Sequence, residues 1–193
     1  MTVQQIPERK RRPPNVSLRP LRMTDAKQVR RWMADPAVIK FTVVVPGPEY
    51  GPLLPYTVEE ADVYLETLVR DPSRRSFAVE LDGQHVGNVG LKDYAPDKSE
   101  AECFIELGEK SARGKGVGSR AMTMLLDHAF DTLRLSRIRL GVFEFNRPAI
   151  QLYRALGFVD DGRYGWHFAD GRFWDVNAMV IAHDAWLAKR SYN

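Results

Sequence analysis

A glycine-rich segment at residues 113–119, Arg-Gly-Lys-Gly-Val-Gly-Ser, has the composition of a pyrophosphate-binding turn. It lies between a strand-like segment at 101–107 and an amphipathic segment that begins near Ser119. The first backbone N–H groups of such a helix lack intrahelical partners, and the helix dipole adds positive potential there. Glycines let a bulky anion approach the backbone, and Arg113 and Lys115 add charge. The alternative is a glycine-rich connection that binds nothing.

Two common phosphate-binding motifs do not fit this spacing. A P-loop requires a glycine five residues before Gly114 and Ser or Thr after the lysine, whereas the chain has Glu109 and Gly116 at those positions. A Rossmann turn has the spacing G-x-G-x-x-G, whereas residues 114–118 read G-x-G-x-G. Both of these nucleotide-binding classes are therefore excluded.

Hydrophobic periodicity indicates the elements that must position this turn. The predicted order is strand, two helices, three strands, helix, strand, helix and two strands. Asp82-Gly83 between two alternating segments predicts a hairpin, and Thr57 with Glu60 predicts a capping box. This order is typical of a mixed α/β or α+β sheet with helices on its faces.

The amino-acid composition limits the classes of protein to which this chain can belong. The chain has 193 residues, of which 44% are hydrophobic and 27% are charged, which indicates one globular domain with short extensions. No apolar run approaches the roughly 20 residues of a membrane span, and the N-terminus lacks a signal-peptide pattern. One cysteine, Cys103, excludes an intramolecular disulfide and fits a cytoplasmic protein. The four histidines lack ligand spacing, so no metal site is expected.

The charge of the chain is unevenly distributed. The net charge is +3, but residues 1–22 carry +5 and the remainder carries −2. The basic character therefore belongs to an N-terminal arm, which argues against a nucleic-acid-binding body. We expect a basic flexible tail at 1–15, a domain at 16–182 and a C-terminal extension at 183–193.

Two motifs resemble a known family. Residues 113–118 match Arg-x-x-Gly-x-Gly, the signature of the GNAT superfamily of acyl-CoA N-acyltransferases. Residues 146–158 are similar to the superfamily's Asn-x-x-Ala-x-x-x-Tyr…Gly-Phe motif. Segments 18–21, 108–110 and 157–176 most resemble the RimJ/RimL-type group, the N-terminal acetyltransferases of ribosomal proteins and their relatives. That group also contains enzymes that acetylate polyamines, antibiotics and other small amines.

The resemblance implies a fold and a co-substrate. It implies a GNAT fold, in which a mixed, mostly antiparallel sheet of six to seven strands carries about four helices. Strands 101–107 and 137–145 would run parallel and splay apart, with the pantetheine arm of acetyl-CoA between them. The residues that it assigns to acetyl-CoA are Ile105, Leu107, Arg113, Gly114, Lys115, Gly116, Val117, Gly118, Ser119, Asn146 and Tyr153.

The same resemblance suggests how protons move. A backbone N–H near Leu107 would face the thioester oxygen, where negative charge develops. Tyr153 would protonate the departing thiolate, although an aromatic residue three positions after Ile150 also fits core packing. Asn146 would bind pantetheine or a water molecule, or it caps the helix that begins near Pro148.

Glu102 and Glu106 are candidates for the base, because they share one face of a strand with Phe104 between them. Some family members place a catalytic glutamate at the position of Glu102, whereas Glu106 lies nearer the thioester. A carboxylate beside Phe104 would be desolvated, which raises its pKa towards a useful value. A solvated face, an ion pair or deprotonation through water are the alternatives. We rank Glu106 slightly above Glu102.

Aromatic residues could border the acceptor site. Trp166, His167 and Trp174 lie on the last predicted hairpin, and Tyr50 lies in a proline-rich loop. We expect transfer of an acetyl group to a primary amine, either a protein N-terminus or a small molecule, by direct attack in a ternary complex. The alternatives are a polyamine or aminoglycoside acetyltransferase, and a non-catalytic acyl-CoA-binding module. Homodimers are common in the family.

Overall fold

A computed structural model describes residues 14–41, 55–167 and 173–191. These residues form seven strands and six α-helices. The strands are β1 (Val16–Pro20), β2 (Arg75–Leu81), β3 (Gln84–Lys92), β4 (Glu100–Glu106), β5 (Arg137–Phe143), β6 (Val159–His167) and β7 (Phe173–Ala182). The helices are α1 (Ala26–Met33), α2 (Pro36–Ile39), α3 (Val58–Arg70), α4 (Val117–Asp127), α5 (Arg147–Leu156) and α6 (His183–Ser191).

The strands form one mixed sheet in the order β1-β2-β3-β4-β5-β7-β6. All neighbouring strands are antiparallel except β4 and β5, which are parallel. Asp82 and Gly83 both have positive φ between β2 and β3, as the predicted Asp-Gly hairpin requires. The mixed seven-stranded sheet with a central parallel pair is therefore confirmed.

The sheet lies between two layers of helices. Ala78 and Phe104 pack with the buried side chains of α1, α2 and α3. Their chain neighbours Val79 and Cys103 point to the opposite face and pack with α4 and α5. Side chains of β4 therefore alternate between the two layers, so Glu102 and Glu106 lie on the α1–α3 face.

The parallel pairing of β4 with β5 is short. It runs from Glu100 opposite Arg137 to Glu102 opposite Arg139. Beyond this point β4 stays paired with β3 as far as Glu106, and β5 stays paired with β7 as far as Phe143. The two central strands thus diverge while each keeps its outer neighbour, and the sheet opens in the middle.

Two helices were not predicted from the sequence, which indicated about four. Asp35-Pro36 follows α1 and begins α2, because the Asp35 carboxylate accepts a hydrogen bond from the Ala37 N–H at 2.9 Å. The second is α6, in the predicted extension. The helix predicted to begin near Ser119 begins at Val117 and becomes a π-helix from His128 to Thr132.

The segment 183–191 is packed onto the domain. Trp186 on α6 is 2% exposed and belongs to the main core, and its indole N–H donates to the Asp127 carboxylate at 3.1 Å. Of the predicted tail at 1–15, residues 1–13 lie outside the described residues. In the described part of the chain, no helix is long and apolar enough to cross a membrane.

Candidate active site

A cleft of about 610 Å³ lies where β4 and β5 diverge. One wall is formed by the end of β4, from Glu102 to Glu106, together with Leu107 directly after it, and the other by β5 and α5. The glycine-rich turn lies at one side, and α2 and α3 contribute side chains at the other. Its size is within the usual range for small-molecule sites.

The glycine-rich turn has the backbone geometry that anion binding requires. Gly114 and Gly116 have φ of 69° and 78°, a region that disfavours residues with a Cβ atom. Gly116 is the N-cap of α4, and no side chain caps this helix. The first N–H groups of α4 are therefore left for an external acceptor, in the positive potential of the helix N-terminus.

Side chains of this turn differ in what they contact. The Arg113 guanidinium donates to the Leu107 carbonyl at 3.0 and 2.7 Å and to the Ala37 carbonyl at 3.4 Å. It thus ties the turn to β4 and α2, and phosphate binding by this side chain stays a prediction. Lys115 is exposed and lies outside the cleft lining, whereas the Val117 side chain is buried in the core. Val117 can therefore offer only its backbone.

Other residues assigned to acetyl-CoA lie along the cleft. They are Ile105, Leu107, Gly114, Gly116, Gly118, Ser119, Asn146 and Tyr153. The Asn146 side chain also accepts a hydrogen bond from the Ala149 N–H at 3.4 Å. Asn146 therefore caps α5, as the alternative prediction had it, and it also lines the cleft. The arrangement fits a long thiol cofactor: an uncapped helix terminus at one end and an apolar slot between diverging strands.

Tyr153 and Cys103 are buried near each other. Tyr153 is 7% exposed, lines the cleft and packs on Phe158 with ring centroids 5.7 Å apart. Burial raises the pKa of the Tyr153 phenol, so its hydroxyl stays protonated at neutral pH. Burial also raises the pKa of the Cys103 thiol, which disfavours the reactive thiolate. Tyr153 thus carries a proton at the cleft wall, and Cys103 is a poor nucleophile.

Glu106 is a buried carboxyl group at the end of β4. It is 7% exposed, and its Oε2 accepts a hydrogen bond from the Tyr64 hydroxyl at 3.2 Å. Its Oε1 is buried without a hydrogen-bond partner among the described residues. Burial raises the pKa of Glu106 to about 7, against smaller lowering effects from Tyr64 and Arg113. This carboxyl group can therefore accept or release a proton near neutral pH.

Glu102 has a different environment on the same strand face. Its Oε1 lies 2.9 Å from Lys92 Nζ, and its Oε2 accepts from Arg139 Nη1 at 3.2 Å. Lys92 also pairs with Asp93 at 3.1 Å. Both oxygens of Glu102 are thus bound by cations of the protein, which makes it a weaker candidate for a base.

Several cleft residues have no signal in the sequence analysis. They are Val38, Phe41, Tyr64, Leu68 and Arg74. Tyr64 lies on α3 at helical spacing from the buried residues Ala61, Leu65 and Leu68, where an aromatic side chain is typical of core packing. Its hydrogen bond to Glu106 joins residues far apart in the chain, and only the tertiary structure shows it.

Two of the four predicted acceptor residues, Trp166 and Trp174, lie on the last hairpin, as predicted. Trp166 and Trp174 face each other on β6 and β7, and Trp174 packs on Phe143 and Phe145 with centroids 5.0 and 4.9 Å away. Neither tryptophan lines the cleft. Tyr50 and the side chain of His167 lie outside the described residues. Within the described ranges, no group of three or more His, Cys, Asp or Glu side chains could hold a metal ion.

Replacing Glu106 by Gln tests its raised pKa through stability. Between the ordinary pKa of 4.5 and about 7, the folded protein retains a proton that the unfolded chain releases. Stability therefore falls as pH rises through this window and stays low above it. We expect Glu106→Gln to be more stable than the wild type at pH 8, by about 3 kcal/mol, and equally stable near pH 4. Denaturant unfolding at both pH values measures the difference.

Glu102→Gln is the matched control, because that carboxylate already has two cationic partners. It should give no gain in stability at pH 8, since it leaves the half-buried Lys92 less well compensated. A difference between Glu106→Gln and the wild type that is the same at both pH values would contradict the raised pKa.

Comparison with known proteins identifies relatives of the chain. Residues 15–159 match the family model described as "Acetyltransferase (GNAT) domain". The chain is 30% identical over 176 residues to spermidine N(1)-acetyltransferase of Escherichia coli K12, covering 91% of this chain and 90% of that protein. It is 27% identical over 139 residues to L-amino acid N-acetyltransferase AaaT of the same organism, covering 72% and 79%.

A solved structure agrees with the sequence relatives. Spermidine N-acetyltransferase from Vibrio cholerae, in complex with CoA and spermine, has a TM-score of 0.75 and 25% identity, covering 89% of this chain and 98% of that chain. These relatives leave the RimJ/RimL-type subgroup a prediction. Since the family model spans most of the chain and the diverging parallel strands are present, the chain belongs to the GNAT acetyltransferases, which transfer an acetyl group from acetyl-CoA.

Proposed function

We propose that this enzyme acetylates a primary amine by direct attack, with Glu106 as the base and Tyr153 as the acid. The observation that carries the proposal is the buried Glu106 carboxyl, whose pKa of about 7 suits proton transfer at neutral pH. An alkylamine has a pKa near 10 and is mostly protonated at neutral pH. It must lose a proton before it can attack, and the unpaired Oε1 of Glu106 is available to receive it.

Acetyl-CoA supplies an activated acetyl group when it is bound in the cleft. Attack forms the carbon–nitrogen bond and breaks the carbon–sulfur bond, and the nitrogen loses two protons in all. Glu106 takes the first before attack and releases it to solvent. Tyr153 protonates the departing thiolate from the opposite wall of the cleft, and the second proton of the nitrogen, shed after the bond forms, restores the Tyr153 hydroxyl. Because Cys103 is buried with a raised thiol pKa, the transfer needs no covalent acyl-enzyme.

Two acceptor classes have support. The relatives named for spermidine favour a polyamine, and segments similar to the RimJ/RimL-type group favour a peptide N-terminus. A non-catalytic acyl-CoA-binding module is disfavoured because Glu106, Tyr153 and the glycine-rich turn occur together along one cleft. Release of free thiol from acetyl-CoA in the presence of amines separates catalysis from binding alone.

Glu106→Gln should lower kcat by about 10²- to 10⁴-fold, because the amine loses its proton acceptor. In the wild type, kcat/KM should rise as pH increases through about 7, where Glu106 becomes ionised and able to accept a proton. Glu106→Gln should lack this rise in kcat/KM, whereas the control Glu102→Gln should retain it. Thiol release with hexylamine and with spermidine measures both profiles. A rise in kcat/KM near pH 7 that persists in Glu106→Gln would refute the assignment of Glu106 as the base and favour deprotonation through water.

Tyr153→Phe should lower kcat much more than it raises KM for acetyl-CoA, because the hydroxyl acts only as the thiolate departs. Cys103→Ala, at a neighbouring buried position, should leave turnover nearly unchanged. Steady-state kinetics with varied acetyl-CoA measures both. Unchanged turnover in Tyr153→Phe, or loss of turnover in Cys103→Ala, would show that the roles are wrongly assigned.

A further inference from the structure

The part of the cleft around Glu106 has an apolar wall. Its members are Val38 on α2, Phe41 two residues after the end of α2, Leu68 on α3 and Phe104 on β4, and we call these four residues the acceptor wall. Val38 and Leu68 are buried in the core that packs beneath α1–α3. The acceptor wall therefore offers packing surface rather than charge to a group bound beside Glu106.

Charged side chains along the cleft are more often positive than negative. Among the described lining residues there are two carboxylates, Glu102 and Glu106, and three cations, Arg74, Lys92 and Arg113. Lys92 and Arg139 occupy both oxygens of Glu102. Glu106 is thus the one carboxylate of the described lining that has no cation of the protein bound to it, and it serves the reacting nitrogen.

A polyamine would bring at least one further ammonium group into this cleft. Beyond Glu106, the described lining offers that group the apolar acceptor wall and Arg74, whose Nε already donates to the Asp71 carboxylate at 3.3 Å. A charge removed from water without an anionic partner is strongly disfavoured. An aromatic face can hold a cation, but Lys40 Nζ already lies 4.6 Å from the Phe41 ring centroid. The described part of the lining therefore offers an unpaired carboxylate to one positive charge.

Aromatic residues extend the apolar surface outward from the cleft. The Phe41 ring lies 6.2 Å from that of Phe145, which is 44% exposed. Phe145 in turn stacks on Phe143 at 5.2 Å and meets Trp174 edge-on at 4.9 Å. An alkyl or aryl group attached to the reacting amine could extend along this row and bury its surface there.

We infer that the acceptor is a primary amine with a single positive charge on an apolar body, and not a polyamine. The inference rests on the proposed function and narrows its substrate class. A free alkylamine or arylalkylamine has this chemistry, and so does a peptide N-terminus that begins with an apolar side chain. This acceptor class differs from the one for which the spermidine acetyltransferase relatives are named.

A panel of matched amines tests the inference on the full-length protein. Hexylamine and 1,6-diaminohexane have the same chain length but one and two charges, and thiol release from acetyl-CoA reports each. We expect kcat/KM for hexylamine to exceed that for 1,6-diaminohexane by about tenfold or more, with spermidine no better than the diamine. 4-Phenylbutylamine and a C-terminally amidated Leu-Phe-Ala peptide distinguish a free amine from a peptide N-terminus.

The possible outcomes separate the two proposals. Spermidine or the diamine as the better acceptor overturns this inference but leaves amine acetylation intact. No thiol release with any member of the panel, while calorimetry detects acetyl-CoA binding, overturns the proposed function as well. Preference for the singly charged amines supports both.

Arg74 provides a second test, because its side chain is 12% exposed and lines the cleft. Arg74→Glu replaces a cation by a carboxylate, so the ratio of kcat/KM for the diamine to that for hexylamine should rise by about tenfold. Arg74→Gln, which only removes the charge, should raise this ratio less. An unchanged ratio in a variant that still binds acetyl-CoA contradicts the inference. The wild-type panel remains decisive if Arg74→Glu does not fold.

Discussion

Parallel pairing between β4 and β5 ends at Glu102 and Arg139, although both strands continue beyond that point. Each strand remains held by its outer antiparallel neighbour, so the sheet opens without either strand losing its support. The inner edges of the diverging strands bring backbone hydrogen-bonding groups to the walls of a slot. The cleft, its contact with the glycine-rich turn and the position of Tyr153 all depend on this divergence.

The same divergence accounts for the unusual state of Glu106. At the end of β4 its side chain lies under α3, where Tyr64 supplies its hydrogen bond and no cation of the described residues pairs with it. Desolvation therefore controls its pKa, and the fold retains a carboxyl group that is costly to bury in ionised form. Four residues earlier on the same face, Glu102 is neutralised by Lys92 and Arg139. Two similar carboxylates are thus given different chemistry by their neighbours.

Local features were predictable from the sequence, and long-range ones were not. The hairpin at Asp82-Gly83 and the turn before α4 follow from residues adjacent in the chain, because glycine can adopt positive φ. The divergence of β4 and β5 and the family motifs came from the resemblance rather than from periodicity. Two hydrogen bonds could not be predicted from the sequence: the one from the Arg113 guanidinium to the Leu107 carbonyl and the one from the Tyr64 hydroxyl to Glu106. Each of these residues, taken alone, also fits a solvent-facing or a packing role. The acceptor roles of Trp166 and Trp174 stay predictions: the two face each other on the last hairpin, and Trp174 packs on Phe143.

A crystal structure of the protein with CoA tests the central claim most directly. The account predicts that the diphosphate lies against the first turn of α4, and that the sulfur lies between β4 and β5 beyond Glu102 and Arg139, within hydrogen-bonding distance of the Tyr153 hydroxyl. A sulfur atom outside the diverging strands, or strands that close and pair along their full length when CoA is bound, would contradict it.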